Sequence, residues 1–244
     1  MDSFSLILKY LTSPTFFYAG QMTLSVTILS ILLGVLIGLV IAISQESRIT
    51  ALQPLVVVYL WLFRGTPVLF QIIFVFHVLP QFGILLSGFA CAIIALSLNE
   101  AAYMSEILRS GLQAVGRGQR MAGRALGMKD WHVMCHVVLP QALRIVIPPI
   151  GNQLIGMLKL SALISVIAVE ELLLVANQTA SANFRYLEAL SAAGIYYLAF
   201  TTIFMIIQAR IEHWATGRRK QQAAEKRGIV NRLLGVSAGN KGMR

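Results

Sequence analysis

Three long stretches of this chain carry no permanently ionised side chain: those between Lys9 and Glu46, between Arg64 and Glu100, and between Glu188 and Arg210. Each is longer than the ~20 residues that span a hydrocarbon core. A mean hydropathy of +0.74, with 57% hydrophobic and only 12% charged residues, leaves too little polar surface to clothe a soluble domain. The chain is therefore built for lipid. Strands of a barrel are excluded, since such strands need only ~10 residues and alternate apolar with polar, a pattern these runs lack. Asp2 stands where a signal peptide has a basic start, and no small-residue cleavage site follows, so the first apolar helix is expected to be retained.

Five spans fit: about Tyr18–Ile43, Pro54–Leu79, Gly88–Leu108, Ile145–Ala168 and Ala189–Gln208. The second is interrupted by Arg64-Gly65-Thr66-Pro67, where Pro67 removes a backbone donor and disfavours helix at Thr66. A broken span is expected there, with protein or water covering the freed backbone groups. The domain plan is an N-terminal external segment (1–17), a transmembrane unit (18–214) and a basic, partly disordered cytoplasmic tail (215–244).

The net charge of +10 is concentrated between spans. Arg109, Arg117, Arg120, Arg124, Lys129 and Arg144 precede the fourth span, and nine more Lys and Arg lie between Arg210 and Arg244. With Arg48, these fall on one side of a five-span protein, against Lys9 and Arg185 on the other. The positive-inside rule then places the N-terminus outside and the C-terminus in the cytoplasm. Basic loops beside apolar helices follow from topology and anionic headgroups, so nucleic acid is not implied.

The loop about 113–140 is a charged insert among apolar helices. Arg117 to Leu126 reads as one helix, stopped at Gly127. Asp130 is expected to cap a second helix through Val138, which Pro140 ends. Met121, Ala122, Leu126, Met128, Trp131 and Met134 give the pair an apolar face, and small Ala122 and Gly123 would let a partner backbone come close.

Here the residues match a family. Gly118-Gln119, Met121-Ala122-Gly123, Gly127 and, nine residues on, Val137-Val138-Leu139-Pro140 resemble the EAA loop of ABC-importer permeases. The resemblance extends to Gly20-Gln21-Met22-Thr23-Leu24, to Arg64-Gly65-Thr66-Pro67 with Gln71, and to Ala102-Tyr103 with Glu106 and Arg109. It continues through Leu139-Pro140-Gln141-Ala142-Leu143-Arg144 and Asn152 before Leu158-Lys159, covering about 18–214 in the order of the polar amino acid subfamily. Two departures stand out. Met121 and Gly123 replace the glutamate and second alanine of the triplet, which shifts docking toward apolar packing. Lys159-Leu160-Ser161-Ala162-Leu163 also carries fewer hydroxyls than the family pattern.

The resemblance implies an all-α membrane protein of the type I ABC importer permease (MetI-like) fold, in the cell inner membrane, with a cytoplasmic coupling helix. It implies a second permease subunit (a copy or a paralogue), an ATPase dimer beneath and an external solute-binding protein above. No phosphate-binding loop is present, so ATP and Mg belong to the partner ATPase and the chain itself is neither an enzyme nor a cofactor carrier. Gly118, Gln119, Met121, Ala122, Gly123, Leu126, Gly127, Trp131, Leu139 and Pro140 are the expected coupling surface.

For the substrate path, polar residues inside spans are the candidates: Arg64, Thr66, Gln71, Asn99, Glu100, Tyr103, Lys159 and Ser161. Arg64 and Lys159 could meet substrate carboxylates and Glu100 an ammonium or guanidinium. Equally, Arg64 or Lys159 could simply neutralise Glu100. Glu106 and Arg109, three apart, are expected to pair with each other. Glu170 and Glu171 read as solvated external charge. His132, Cys135 and His136 share a face but lack a fourth ligand, so no metal is expected. Cys91 and Cys135 lie in different layers and do not pair. The alternative function, a motor-independent secondary transporter or channel, would call for internal repeats, and the halves show none.

Overall fold

A computed structural model describes residues 2–46 and 52–216. All regular structure among them is helical: α1 (Ser3–Leu11), α2 (Pro14–Glu46), α3 (Gln53–Gly65), α4 (Val68–Val78), α5 (Gly88–Ala114), α6 (Arg117–Ala125), α7 (Asp130–Val133), α8 (Leu139–Leu160), α9 (Leu172–Asn183) and α10 (Tyr186–Thr216). Arg48 and the tail beyond Thr216 lie outside the described residues.

Among the described residues, four uninterrupted rods are long and apolar enough to cross a membrane: α2, α5, Asp130–Ile167 and α10. The bent pair Gln53–Gly65 and Val68–Phe82 makes a fifth, turning by 106° at the expected break. Helix α5 is the spine. Its N-terminus is capped by Ser87, whose hydroxyl accepts from Ala90 N at 3.2 Å. Helix α2 lies along it at close range, because Gly34 and Gly38 face α5. A Cβ on Gly38 would stand 2.7 Å from Met104 Cβ and 3.0 Å from Ala101 O. Lipid tails are as apolar as leucine, so helices here gain by backbone proximity and dispersion, which small residues permit.

One core joins α2, α4, α5 and α8 through Val26, Ile72, Leu96 and Met157. A second, at the other end of the bundle from α6 and α7, packs Phe16 and Ala19 of α2 against Leu172 and Ala176 of α9 and Ala189 and Ala192 of α10. Helix α1 closes this end: Ser3 Oγ donates to Glu188 Oε1 at 2.9 Å and Tyr196 Oη to Leu11 O at 2.8 Å.

Three local expectations are corrected. Pro140 does not end the second loop helix. The chain widens into a π turn at Met134–Val138 and runs on through Pro140, the widened turn taking up the proline ring and its missing N–H. Loop helix and fourth span are thus one rod, Asp130–Ile167. Asp130 is not a cap either. Its carboxylate lies 2.8 Å from Arg124 Nε, and Lys129 holds the cap position with no side-chain bond. Glu171, read as solvated, is fully buried. It caps α9, accepting from Leu173 N at 2.9 Å, Leu174 N at 2.7 Å and Tyr197 Oη at 2.7 Å. Burial pushes its carboxyl up, while the bonds from Leu173, Tyr197 and Leu174 pull it back. Glu170 is exposed, on a cavity of about 340 Å³ with Tyr18 and Met22.

Candidate functional site

The charged loop is a folded unit. After α6, Gly127 takes φ +77, and Met128 N returns to Gly123 O at 3.1 Å while Gly127 N bonds Arg124 O at 2.9 Å. This is a glycine-stopped helix end as the sequence predicts. Gly123 itself is buried against α7, where an added Cβ would stand 2.9 Å from Val133 Cγ2. Its smallness therefore serves the loop's own packing and not a partner's approach. Arg120 Nη2 donates to Leu112 O at 2.8 Å, tying α6 to the foot of α5. Val115, Val133, Val138 and Ala142 form a small core beneath, so α6 and α7 are fixed to α5 and α8.

The outer face is apolar. Leu126 is 82% exposed and Trp131 58%, with Met121, Met134 and Leu139 also open to solvent. Gly118, Gln119 and Ala122 are exposed beside them, as is Pro140 on the rod. Trp131 stacks on His132 at 3.6 Å, which stiffens it. Cys135 is exposed and unpaired, Cys91 buried and unpaired. Among the described residues no group of three His, Cys, Asp or Glu is placed to hold a metal ion.

The second site is a cavity of about 240 Å³ between α4, α5 and α8, lined by Val68, Asn99, Glu100, Tyr103, Gln153, Gly156, Met157 and Leu160. Three residues singled out from sequence, Asn99, Glu100 and Tyr103, meet here. Gln153 was not singled out, although it donates to Glu100 Oε1 at 3.2 Å. The spacing of Gln153, Gly156 and Leu160 along α8, three residues and then four, was the available signal.

The other candidates do different work. Breaking a helix strands the carbonyls of its last turn, and here polar side chains answer them. Thr66 Oγ1 donates to Leu62 O at 2.8 Å. Gln71 Nε2 lies 3.0 Å from Phe63 O and 2.8 Å from Thr66 Oγ1. Asn99 Nδ2 bridges Phe63 O and Gln71 Oε1, each at 3.0 Å. Ser161 is buried and donates to Leu158 O at 2.7 Å, and Lys159 is exposed; neither lines the cavity.

The ion pairs are not those expected. Arg64 Nη1 lies 3.4 Å from Glu106 Oε2, so it does not neutralise Glu100. Arg109 pairs with Glu46 of α2 at 3.5 Å, so Glu106 and Arg109 are not partners. Arg64 lies against α5, where its guanidinium carbon stands 5.9 Å from the Tyr103 ring centroid.

The family model described as "Binding-protein-dependent transport system inner membrane component" matches residues 34–216. The arginine transport system permease protein ArgU of Corynebacterium glutamicum is 37% identical over 95% of this chain and 78% of its own length. The glutamine transport system permease protein GlnP of Escherichia coli (strain K12) is 33% identical over 82% and 92%. A solved amino acid ABC transporter with histidines is 37% identical, with a TM-score of 0.80 over 87% of this chain and 98% of that one. The MetNI methionine ABC transporter, 18% identical, shares the fold with a TM-score of 0.70 over 84% and 99%. The fold is that of type I ABC importer permeases, and the chain belongs to the binding-protein-dependent transport system inner membrane components.

Proposed function

We propose that this chain is the membrane subunit of an importer for a polar amino acid, paired with a second permease subunit, fed by an external solute-binding protein and driven by a separate ATPase dimer carrying ATP and Mg. The observation that carries it is the coupling loop: an exposed apolar surface on a rigid two-helix unit that shares rods with the cavity. A pull on α6 and α7 moves α5 and α8 together, because Arg120, Val133 and Val138 fix the loop to both. Those two helices carry Glu100, Tyr103 and Gln153. The basic loop supports an orientation with α6 and α7 in the cytoplasm and α1 outside.

In this reading Leu126, Trp131 and Met121 seat in the ATPase, with Gly118, Gln119, Ala122, Leu139 and Pro140 around them. Gly123 and Gly127 shape the loop from within. Glu100 receives the substrate's ammonium or guanidinium, with Asn99, Tyr103 and Gln153 as the polar wall. Arginine and glutamine, named for two relatives, are both polar amino acids with an ammonium group. The test is Leu126→Asp combined with Trp131→Asp in the purified importer. ATPase affinity should fall by about 30-fold, as for loss of an apolar hot spot, with uptake lost and the thermal midpoint of the permease kept. Substrate accumulation by vesicles holding this subunit alone, without ATP, would overturn the reading.

A further inference from the structure

We propose that the Arg64–Glu106 ion pair is a gate on the loop side of the polar cavity, opened when the cationic group of the substrate displaces Arg64 from α5. The proposal rests on the importer reading above and deepens it.

Glu100, Tyr103 and Glu106 follow one another at steps of three along α5, so they form a ladder on one flank of the helix. Glu100 and Tyr103 line the cavity. Glu106 lies one turn further toward Ala114 and the coupling loop. A cation leaving Glu100 in that direction meets the ring of Tyr103 and then the Glu106 carboxylate. Arg64 holds both, at 5.9 Å from the ring centroid and 3.4 Å from Glu106 Oε2. It occupies the next two stations a cation would use.

The position of Arg64 suits movement. It sits in the last turn of α3, directly before the 106° break. A Cβ on Gly65 would meet nothing within 4 Å, so no neighbour pins the chain at that point of the break. Holding the break together does not require Arg64, since Thr66, Gln71 and Asn99 already answer Leu62 O and Phe63 O. The pair is also exchangeable. Its side chains are 45% and 39% exposed, and pairs of that kind are weak, whereas a dry pair would lock.

The experiment uses the complete importer in proteoliposomes loaded with labelled arginine, measuring efflux without ATP. Arg64→Gln and Glu106→Gln should each raise efflux about fivefold, the population shift that loss of a weak pair allows. The double variant should leak no more than either single one, because one interaction has been removed three ways. Thermal midpoints and ATPase retention should stay at the parent values, which separates a leak from unfolding. Unchanged efflux in either single variant, or a leak in Arg64→Gln alone, overturns the gate. Glu100→Gln serves as the separate arm: it should weaken arginine uptake without leak, and unaltered uptake kinetics there would reject the cavity reading while leaving the gate result standing.

Discussion

Helix α5 meets α2 on one side and the broken span α3–α4 on another, and the middles of the two seams are built from different materials. Against α2 it is close and glycine-packed along its middle, with Gly34 and Gly38 bringing backbone to within reach of Glu100, Ala101 and Met104, and only at its foot does an exposed pair, Arg109–Glu46, join the two. Against α3 and α4 it is held by amides, Asn99 to Phe63 O and Gln71 Oε1, and by the half-exposed Arg64–Glu106 pair. Close glycine packing has no second arrangement of similar energy. Exposed ion pairs exchange partners at small cost, and the buried amides Asn99 and Gln71 do so only where a new partner is at hand. The comparison teaches that α2 and α5 move as one body, while the broken span is the part free to shift against them.

The strongest way to break this contrast is to force a side chain into the glycine-packed seam. At Gly38 a Cβ would stand 3.0 Å from both Ala101 O and Ser105 N, backbone atoms that cannot turn aside. Gly38→Ala should cost about 1–3 kcal/mol as overpacking, read as a lowered thermal midpoint of the purified importer. Gly38→Leu should prevent recovery of folded permease. A parent-like midpoint for Gly38→Leu would show that the seam is not rigid.

A smaller effect is expected at the amide latch. Asn99→Leu leaves Gln71 Oε1 without its donor and removes one of the two donors to Phe63 O. The cost should be about 1–2 kcal/mol. The combination with Gln71→Leu should fall short of the sum of the single effects, because the two amides bond each other. Additive losses in the thermal midpoint would mean that the latch is not one network.

Much of this was open to the sequence. The apolar runs, the break at Arg64-Gly65-Thr66-Pro67 and the stop at Gly127 follow from local chemistry: no charge, no donor at Pro67, and a glycine where φ must be positive. What escaped depended on distant partners. Glu171 looked solvated because Tyr197 is 26 residues away and the two N–H groups it caps belong to a short helix with no periodic signature. Arg64 had Glu100 and Glu106 within two turns of the same helix, and spacing alone does not choose between them. Pro140 read as a stop because a π turn, which absorbs it, leaves no mark in composition. Gln153 was hidden for the same reason as Glu171, since only the packing of α8 on α5 brings it to Glu100.

The finest test concerns Gly65, the counterpart of Gly38 on the mobile side. Both are glycines of helices that pack on α5, yet a Cβ on Gly65 meets nothing within 4 Å and its φ is not positive. Alanine there restricts the unfolded chain and suits the end of α3, so Gly65→Ala should stabilise by about 0.5 kcal/mol. If the break is a hinge, the same methyl stiffens it. Transport turnover should therefore fall while the thermal midpoint rises slightly, with ATPase binding unchanged. A substitution that is harmless to the fold and harmful to turnover is what a hinge predicts. If Gly65→Ala leaves turnover at the parent value, the break is a fixed bend, and the difference between the two seams is one of composition without a difference in motion.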